Sequence, residues 1–246
     1  MTTRSLTAHG PRPRVVGVIT SRRNLDLAIR MRKLPDLFEL RLDHLMDPAA
    51  AGLDELEEKM SRLRAPLIVT ARHPQEGGAN RLNLGQRHDL LSRFLPHARY
   101  IDFELRSAAA LHSLLRLARK KNVRRIISFH DLKATPDSRV LQVKARRAKS
   151  LGADIFKVAT RTDTPAQLAR LLDFITKKDL DLPVSVMGIG KLGAISRILL
   201  AYRGSALIYA SVAAATDIEG QISLEQLRRF GIGRRMTKHE GRRTKE

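Results

Sequence analysis

Arg125-Ile126-Ile127-Ser128-Phe129-His130, a helical stretch over Arg139–Leu151, then Asp154-Ile155-Phe156-Lys157-Val158-Ala159: this part of the chain reads as strand, helix, strand. The first short run closes on His130 and the second carries Lys157; both are otherwise almost wholly apolar. Such runs suit parallel strands covered on both faces. The pattern continues outward in both directions. Further strand-like runs are Val15–Ile19, Leu37–Leu42, Pro66–Ala71, Tyr100–Leu105, Pro183–Met187 and Ala206–Ala210, separated by helical patterns such as Leu111–Lys120 and Pro165–Lys178. Thr164-Pro165 reads as an N-cap followed by proline at the first helical position. Eight strands alternating with helices predict a single-domain TIM-type (β/α)8 barrel, a fold of about 250 residues. An open doubly wound sheet is the competing arrangement, and strand count does not separate the two.

The chain has 246 residues, and 43% of them are hydrophobic, so most of its length can pack into a core. The barrel is expected over 15–231. The ends, 1–14 and 232–246, are polar, charged and without apolar periodicity, which predicts disordered basic tails. No run approaches the roughly 18 apolar residues of a membrane span, and Met1–Arg14 lacks the apolar segment of a secretory signal. The absence of cysteine excludes disulfides, thiolate metal sites and a cysteine nucleophile, and fits a cytoplasmic protein. Net charge is +21. The N-terminal tail contributes +3 of it and residues from Gly231 onward +4, leaving +14 to the folded part. A field of this sign draws in small anions and also permits nonspecific contact with nucleic acid. Aromatic residues at 4% are too few for a base-stacking platform.

Polar residues recur at or near the strand ends: Glu39 and Arg41, Arg72, Glu104, His130 and Lys157. Successive gaps along Glu39, Arg72, Glu104, His130 and Lys157 are 33, 32, 26 and 27 residues, one βα unit each. In a barrel these side chains converge on the C-terminal mouth, where such folds keep their sites. Lys157 pointing inward would be desolvated beside arginines, and a neutral amine attacks a ketone to form an imine. An isolated lysine at a strand end usually snorkels to water; its pairing with His130 on the preceding strand argues otherwise. Imidazole can take and return a proton near neutrality, and Glu76, in Gln75-Glu76-Gly77-Gly78, could orient it. Arg41, Arg72 and Arg197 are candidates to hold a carboxylate through paired hydrogen bonds.

Gly188-Ile189-Gly190-Lys191-Leu192-Gly193 matches the dinucleotide fingerprint, but one strand remains after it, ending Ile208-Tyr209-Ala210-Ser211 without the acidic residue a dinucleotide site needs. We read these glycines as allowing close backbone approach instead. No metal-ligand spacing is present.

The segments Phe38-Glu39-Leu40-Arg41-Leu42-Asp43, Thr70-Ala71-Arg72 with Glu76-Gly77-Gly78, Tyr100–Glu104, Ser128–Asp131, Asp154–Ala159, Met187–Gly193 with Ser196-Arg197, and Gly220-Gln221 together resemble the type I 3-dehydroquinate dehydratases, collinearly from about Val15 to Leu227. The resemblance implies a homodimeric barrel of the shikimate pathway that needs no metal or cofactor. It implies that Lys157 forms an imine with 3-dehydroquinate, that His130 moves the proton and assists loss of the hydroxyl, and that Glu76 orients His130. It further implies that Glu39 and Arg72 position ring hydroxyls, Arg41 supports them, Arg197 clamps the carboxylate, and Gln221 closes over the substrate. Where the family has Ser-Ala-Pro-Gly-Gln, this chain has Asp217-Ile218-Glu219-Gly220-Gln221. Asp217 and Glu219 would repel an anion unless paired with Arg or Lys. The alternatives are a barrel that lost its substrate and binds RNA or another polyanion, and a different Schiff-base lyase or aldolase.

Overall fold

The computed structural model describes residues 12–46, 52–177, 180–214 and 219–233. Along the chain the elements are β1 (Arg14–Ile19), α1 (Arg22–Arg30), β2 (Leu37–Arg41), α2 (Leu42–Leu45), α3 (Leu53–Ser61), β3 (Leu67–Thr70), α4 (Leu84–Phe94), β4 (Tyr100–Glu104), α5 (His112–Lys120), β5 (Arg124–Asp131), α6 (Ser138–Ser150), β6 (Ile155–Arg161), α7 (Pro165–Thr176), β7 (Val184–Ile189), α8 (Gly193–Tyr202), β8 (Leu207–Ser211) and α9 (Leu224–Arg229). β1 to β7 are parallel neighbours in chain order, and β8 pairs in parallel with β1. That order belongs to a barrel; an open doubly wound sheet would reverse its strand order partway across.

One seam differs from the rest. Between β7 and β8 the regular ladder is replaced by local bonds. The Ala206 amide donates to the Val184 carbonyl at 2.7 Å, the Val186 amide to Ser205 Oγ at 2.9 Å, and Ser185 Oγ to the Leu207 carbonyl at 2.9 Å.

Helices start where short polar side chains can take the free amides of the first turn. Asn83, Thr164 and Ser223 each form a capping box with a glutamine three residues on, Gln86, Gln167 and Gln226. Pro165 opens α7 as its sequence predicts. Leucines on the helices, such as Leu91, Leu114 and Leu171, bury against the outward faces of the strands.

The inward positions stack in layers. Towards the strands' N-terminal ends lie Val16, Leu37, Ile68, Tyr100, Ile126, Ile155 and Leu207. Arg124 Nη1 donates to the Tyr100 hydroxyl at 3.2 Å, and Arg14 lies 5.1 Å from the centre of the same ring. The lower barrel is therefore packed shut, and a ligand can be met only at the other end.

The folded part reaches slightly past the expected boundaries. β1 begins at Arg14, Arg12 is bonded to Asp36 at 2.8 Å, and Ile232 is buried in a cluster with Val15 and Leu227. Residues 1–11 and 234–246 lie outside the described residues. Among the described residues, no helix is long and apolar enough to cross a membrane.

Candidate active site at the barrel mouth

Strand alternation puts every second side chain inward. The register pairs Glu104 with Ser128, Ser128 with Lys157 and Lys157 with Ser185, so these four share a level. His130 lies two residues beyond Ser128, which places it one inward layer above Lys157 on the adjoining strand.

Lys157 is buried, with 3% of its surface exposed. Its Nζ donates to Glu39 Oε1 at 3.1 Å and Asp102 Oδ2 at 3.0 Å, and sits 4.0 Å from the centre of the Tyr209 ring. The sequence predicts arginines around this amine. Arg72 is indeed close, but Asp102 stands between them: Arg72 Nη2 reaches the same Oδ2 at 2.8 Å. Burial pushes the Asp102 carboxyl up, yet the charges of Arg72 and Lys157 outweigh it and hold Asp102 well below the usual carboxylate range. Asp102 is thus a firmly ionised carboxylate that holds the Lys157 amine by charge and hydrogen bonding.

Arg72 is fixed on all sides, by Asp102, by Glu104 Oε1 at 3.1 Å and by Ser128 Oγ at 2.6 Å. Glu104 is held in turn by the Arg87 guanidinium and by the His73 amide. Arg41 is engaged by Asp43, through Nε at 3.0 Å and Nη2 at 2.7 Å, and by the Gly77 carbonyl at 3.0 Å. Arg41 therefore steadies the loop that carries Glu76.

Glu76 Oε2 accepts both from the His130 amide at 2.9 Å and at His130 Nδ1, 3.0 Å away. Burial pushes the Glu76 carboxyl up to about 7, Glu104 adding to the rise and Arg72 opposing it. Burial, then Arg72 and Lys157, push the His130 imidazolium well below its ordinary range. The ring is neutral at physiological pH.

Arg197 projects from α8 into the seam between β7 and β8. Nε donates to the Tyr209 carbonyl at 3.2 Å, and Nη1 to the carbonyls of Gly188 at 2.8 Å, Gly193 at 3.0 Å and Gly220 at 2.7 Å. Ten charged residues are buried among those described, five basic and five acidic. Lys157, Arg41, Arg72 and Arg87 each touch a carboxylate. Among the described residues Arg197 meets only carbonyl dipoles, and burial lowers its pKa to about 10. A buried cation without a counter-ion attracts an anion strongly.

The structure thus joins Glu39, Arg72 and Lys157 in one hydrogen-bonded network through Asp102, sets the Glu76–His130 pair and Arg41 beside it, and places Arg197 and Gln221 on the β7–β8 side. Asp217 lies outside the described residues. Asp102, Ser128 and Tyr209 were not singled out from sequence. The alternation Tyr100, Asp102, Glu104 carried the missing signal for Asp102, since residues two apart on a strand face the same way. Among the described residues, no group of three or more His, Cys, Asp or Glu is placed to hold a metal ion.

Parallel barrels of this kind work at the C-terminal ends of their strands, and the chain is an α/β-barrel enzyme. Its residues 16–230 match the family described as Type I 3-dehydroquinase, and it belongs to that family. A 3-dehydroquinate dehydratase of Thermodesulfovibrio yellowstonii is 30% identical over 215 residues, covering 87% of this chain and 92% of the relative. One from Latilactobacillus sakei is 32% identical, with 84% and 86% covered. A crystal structure of the type I enzyme of Clostridium difficile, bearing covalently modified comenic acid, superposes with a TM-score of 0.78 at 26% identity, covering 90% of this chain and 91% of that one.

Proposed function

We propose that this protein dehydrates 3-dehydroquinate to 3-dehydroshikimate, with Lys157 as the imine-forming amine and His130 as the proton carrier. The observation that carries this reading is the buried Lys157 amine, flanked by two carboxylates, one layer below a neutral imidazole on the next strand. Lys157 first gives up a proton to solvent through the neutral His130 imidazole one layer above, while Asp102 and Glu39 hold the amine in place by hydrogen bonds. The free amine adds to the substrate ketone, and loss of water gives an iminium ion. This cation acidifies the neighbouring C–H. His130 takes that proton, the electron pair moves into the enamine, and protonated His130 returns the proton to the departing hydroxyl, which leaves as water. Hydrolysis of the imine frees the conjugated product and restores the amine. Arg197 clamps the substrate carboxylate, because it is the buried cation that lacks one. Glu39, Arg72 and Arg41 position the ring hydroxyls and the shell around them.

Borohydride added with 3-dehydroquinate should attach a reduced ligand to Lys157, and Lys157→Ala should give neither adduct nor product. His130→Ala should lower turnover roughly 10²–10⁴-fold. An intact wild-type protein that forms no adduct and no ultraviolet-absorbing product would sink this reading.

The biosynthetic role and the cysteine-free chain fit a cytoplasmic enzyme. A homodimer fits the face of α8, where Ile195, Leu199 and Tyr202 are exposed at helical spacing, with exposed Phe230 accepting the Tyr202 hydroxyl bond at 2.7 Å. Sedimentation should show a dimer, and Tyr202→Glu should shift it to monomer; a wild-type monomer at micromolar concentration refutes the assignment.

A second reading rests on a separate observation. From Arg106 to Ala153 the chain has thirteen Lys or Arg against Asp131 and Asp137, and neither α5 nor α6 contains an acidic residue. This face fits nonspecific contact with nucleic-acid phosphates. Such affinity falls steeply with salt, and binding indifferent to salt would dismiss it.

A further inference from the structure

Gly188-Ile189-Gly190-Lys191-Leu192-Gly193 has a use that the proposed reaction leaves unassigned. Gly220, at φ +73°, lies directly on this segment: a Cβ there would stand 2.2 Å from the Gly190 carbonyl oxygen and 2.8 Å from Gly193 Cα. A Cβ on Gly193 would meet the Gly220 carbonyl at 2.8 Å, and one on Gly190 would meet Asp163 Oδ1 at 2.3 Å. Bare backbone on both sides is what permits the contact. The glycines form a bed for residues 219–221 of the last loop.

Two charged groups fasten the loop there. Arg161, the last residue of β6, places Nη1 2.9 Å from Glu219 Oε2 and Nε 2.5 Å from Asp163 Oδ2. Asp163 Oδ1 accepts the Lys191 amide at 2.9 Å, and the Gly190 amide donates to the Glu219 carbonyl at 3.1 Å. One residue further on, the Gly220 carbonyl accepts from Arg197 Nη1 at 2.7 Å. The chain of contacts therefore runs from the end of β6, through Glu219, to the guanidinium that faces the substrate carboxylate.

We propose that Arg161 and Glu219 are positioning residues: their ion pair seats residues 219–221 on the glycine bed, so that the Gly220 carbonyl aligns Arg197, and it neutralises the Glu219 charge beside an anion-binding site. This assignment rests on the dehydratase reading for its kinetic consequence, while its structural half stands alone.

The ion pair is partly exposed, 31% for Arg161 and 53% for Glu219, so its effect is modest. Arg161→Gln and Glu219→Gln should each raise KM for 3-dehydroquinate about twofold to fivefold with kcat nearly unchanged. The double variant should be no worse than either single one. Glu219→Pro should make Arg161→Gln silent. Additive KM effects, or a loss confined to kcat, overturn the proposal.

A second measurement needs no substrate. In the ligand-free protein, hydrogen exchange at the Gly190 amide and in residues 219–223 should accelerate in both single variants, and unchanged exchange overturns the clasp. If wild-type protein shows no dehydration, the dehydratase reading fails, and exchange alone decides whether the clasp exists.

Discussion

In the proposed reaction, Glu76 decides which nitrogen of His130 faces the substrate. When Glu76 is ionised it accepts a proton bond from Nδ1, leaving Nε2 with a lone pair that can act as base. When Glu76 is protonated it donates to Nδ1, the ring carries its proton on Nε2, and the base is lost. With the Glu76 carboxyl pushed up to about 7 by burial, kcat/KM should rise with pH through that value, although the imidazole itself titrates lower. Glu76→Gln keeps an oxygen that accepts from Nδ1 and cannot titrate. It should move the acid limb of the pH profile downward. An acid limb unchanged in Glu76→Gln would assign the limb to another group. Stability follows the same group. A carboxyl whose folded pKa exceeds its ordinary 4.5 costs stability as pH rises from there to about 7. Glu76→Gln should therefore gain thermal stability relative to wild type across that window. At this scale, Lys157 and His130 were legible because each interrupts or closes an apolar run. Asp102 was hidden because Glu104 on the same strand had already supplied an acid, and nothing in one-dimensional spacing says that Asp102, rather than an arginine, stands against the amine. Arg197 was legible as a cation; that, among the described residues, it is the buried cation without a carboxylate belongs to the packing.

The strands were legible as elements because each is buried on both faces, so apolarity is nearly continuous along them. Their ends were less so. β5 and β6 continue through the pairs His130–Ala159 and Asp131–Thr160, beyond the point where their apolar runs stop. Backbone pairing persists there while the side chains have already turned polar for the mouth. The single turns at Leu42–Leu45 and Pro74–Glu76 are too short to show any periodicity. Sequence also gave no hint that one seam lacks a regular ladder. There the Ser205 hydroxyl replaces a carbonyl as acceptor for the buried Val186 amide. Removing it leaves a donor unsatisfied, at a cost of about 1–3 kcal/mol. Since about 1 kcal/mol moves the melting point of a domain this size by roughly 2–4 °C, Ser205→Ala should melt several degrees lower. Ser150→Ala is the control: its exposed hydroxyl caps the Arg147 carbonyl at 2.8 Å, and it should melt near wild type. Equal melting points for the two variants would mean that the seam does not depend on this bond.

At the scale of the whole molecule, the excess of positive charge and the active site are separate features. Among the described residues five basic and five acidic groups are buried, so the +21 resides elsewhere in the chain. Arg116 and Arg119 on α5 and Arg147 and Lys149 on α6 are exposed on the outer ring of helices, whereas the reaction takes place inside the ring at the strands' C-terminal ends. The Debye length is about 8 Å at physiological ionic strength, shorter than the thickness of a helix with its side chains, about 10–12 Å. Charges on the outer face of a helix are therefore largely screened from a ligand in the barrel, and in the proposed reaction the site supplies its own cation, Arg197. Changing these four residues together to glutamate should leave kcat/KM for 3-dehydroquinate at 0.15 M salt within about twofold of wild type. At low salt, where the screening length grows to about 30 Å at 0.01 M, the same variant should fall clearly behind because the long-range attraction for the anionic substrate is gone. Its affinity for a nucleic-acid duplex should drop at both salt concentrations, with a shallower dependence of log K on log salt as phosphate contacts are lost. A large loss of kcat/KM at 0.15 M would show that the surface field reaches the mouth after all. Unchanged duplex affinity would move the polyanion surface away from α5 and α6.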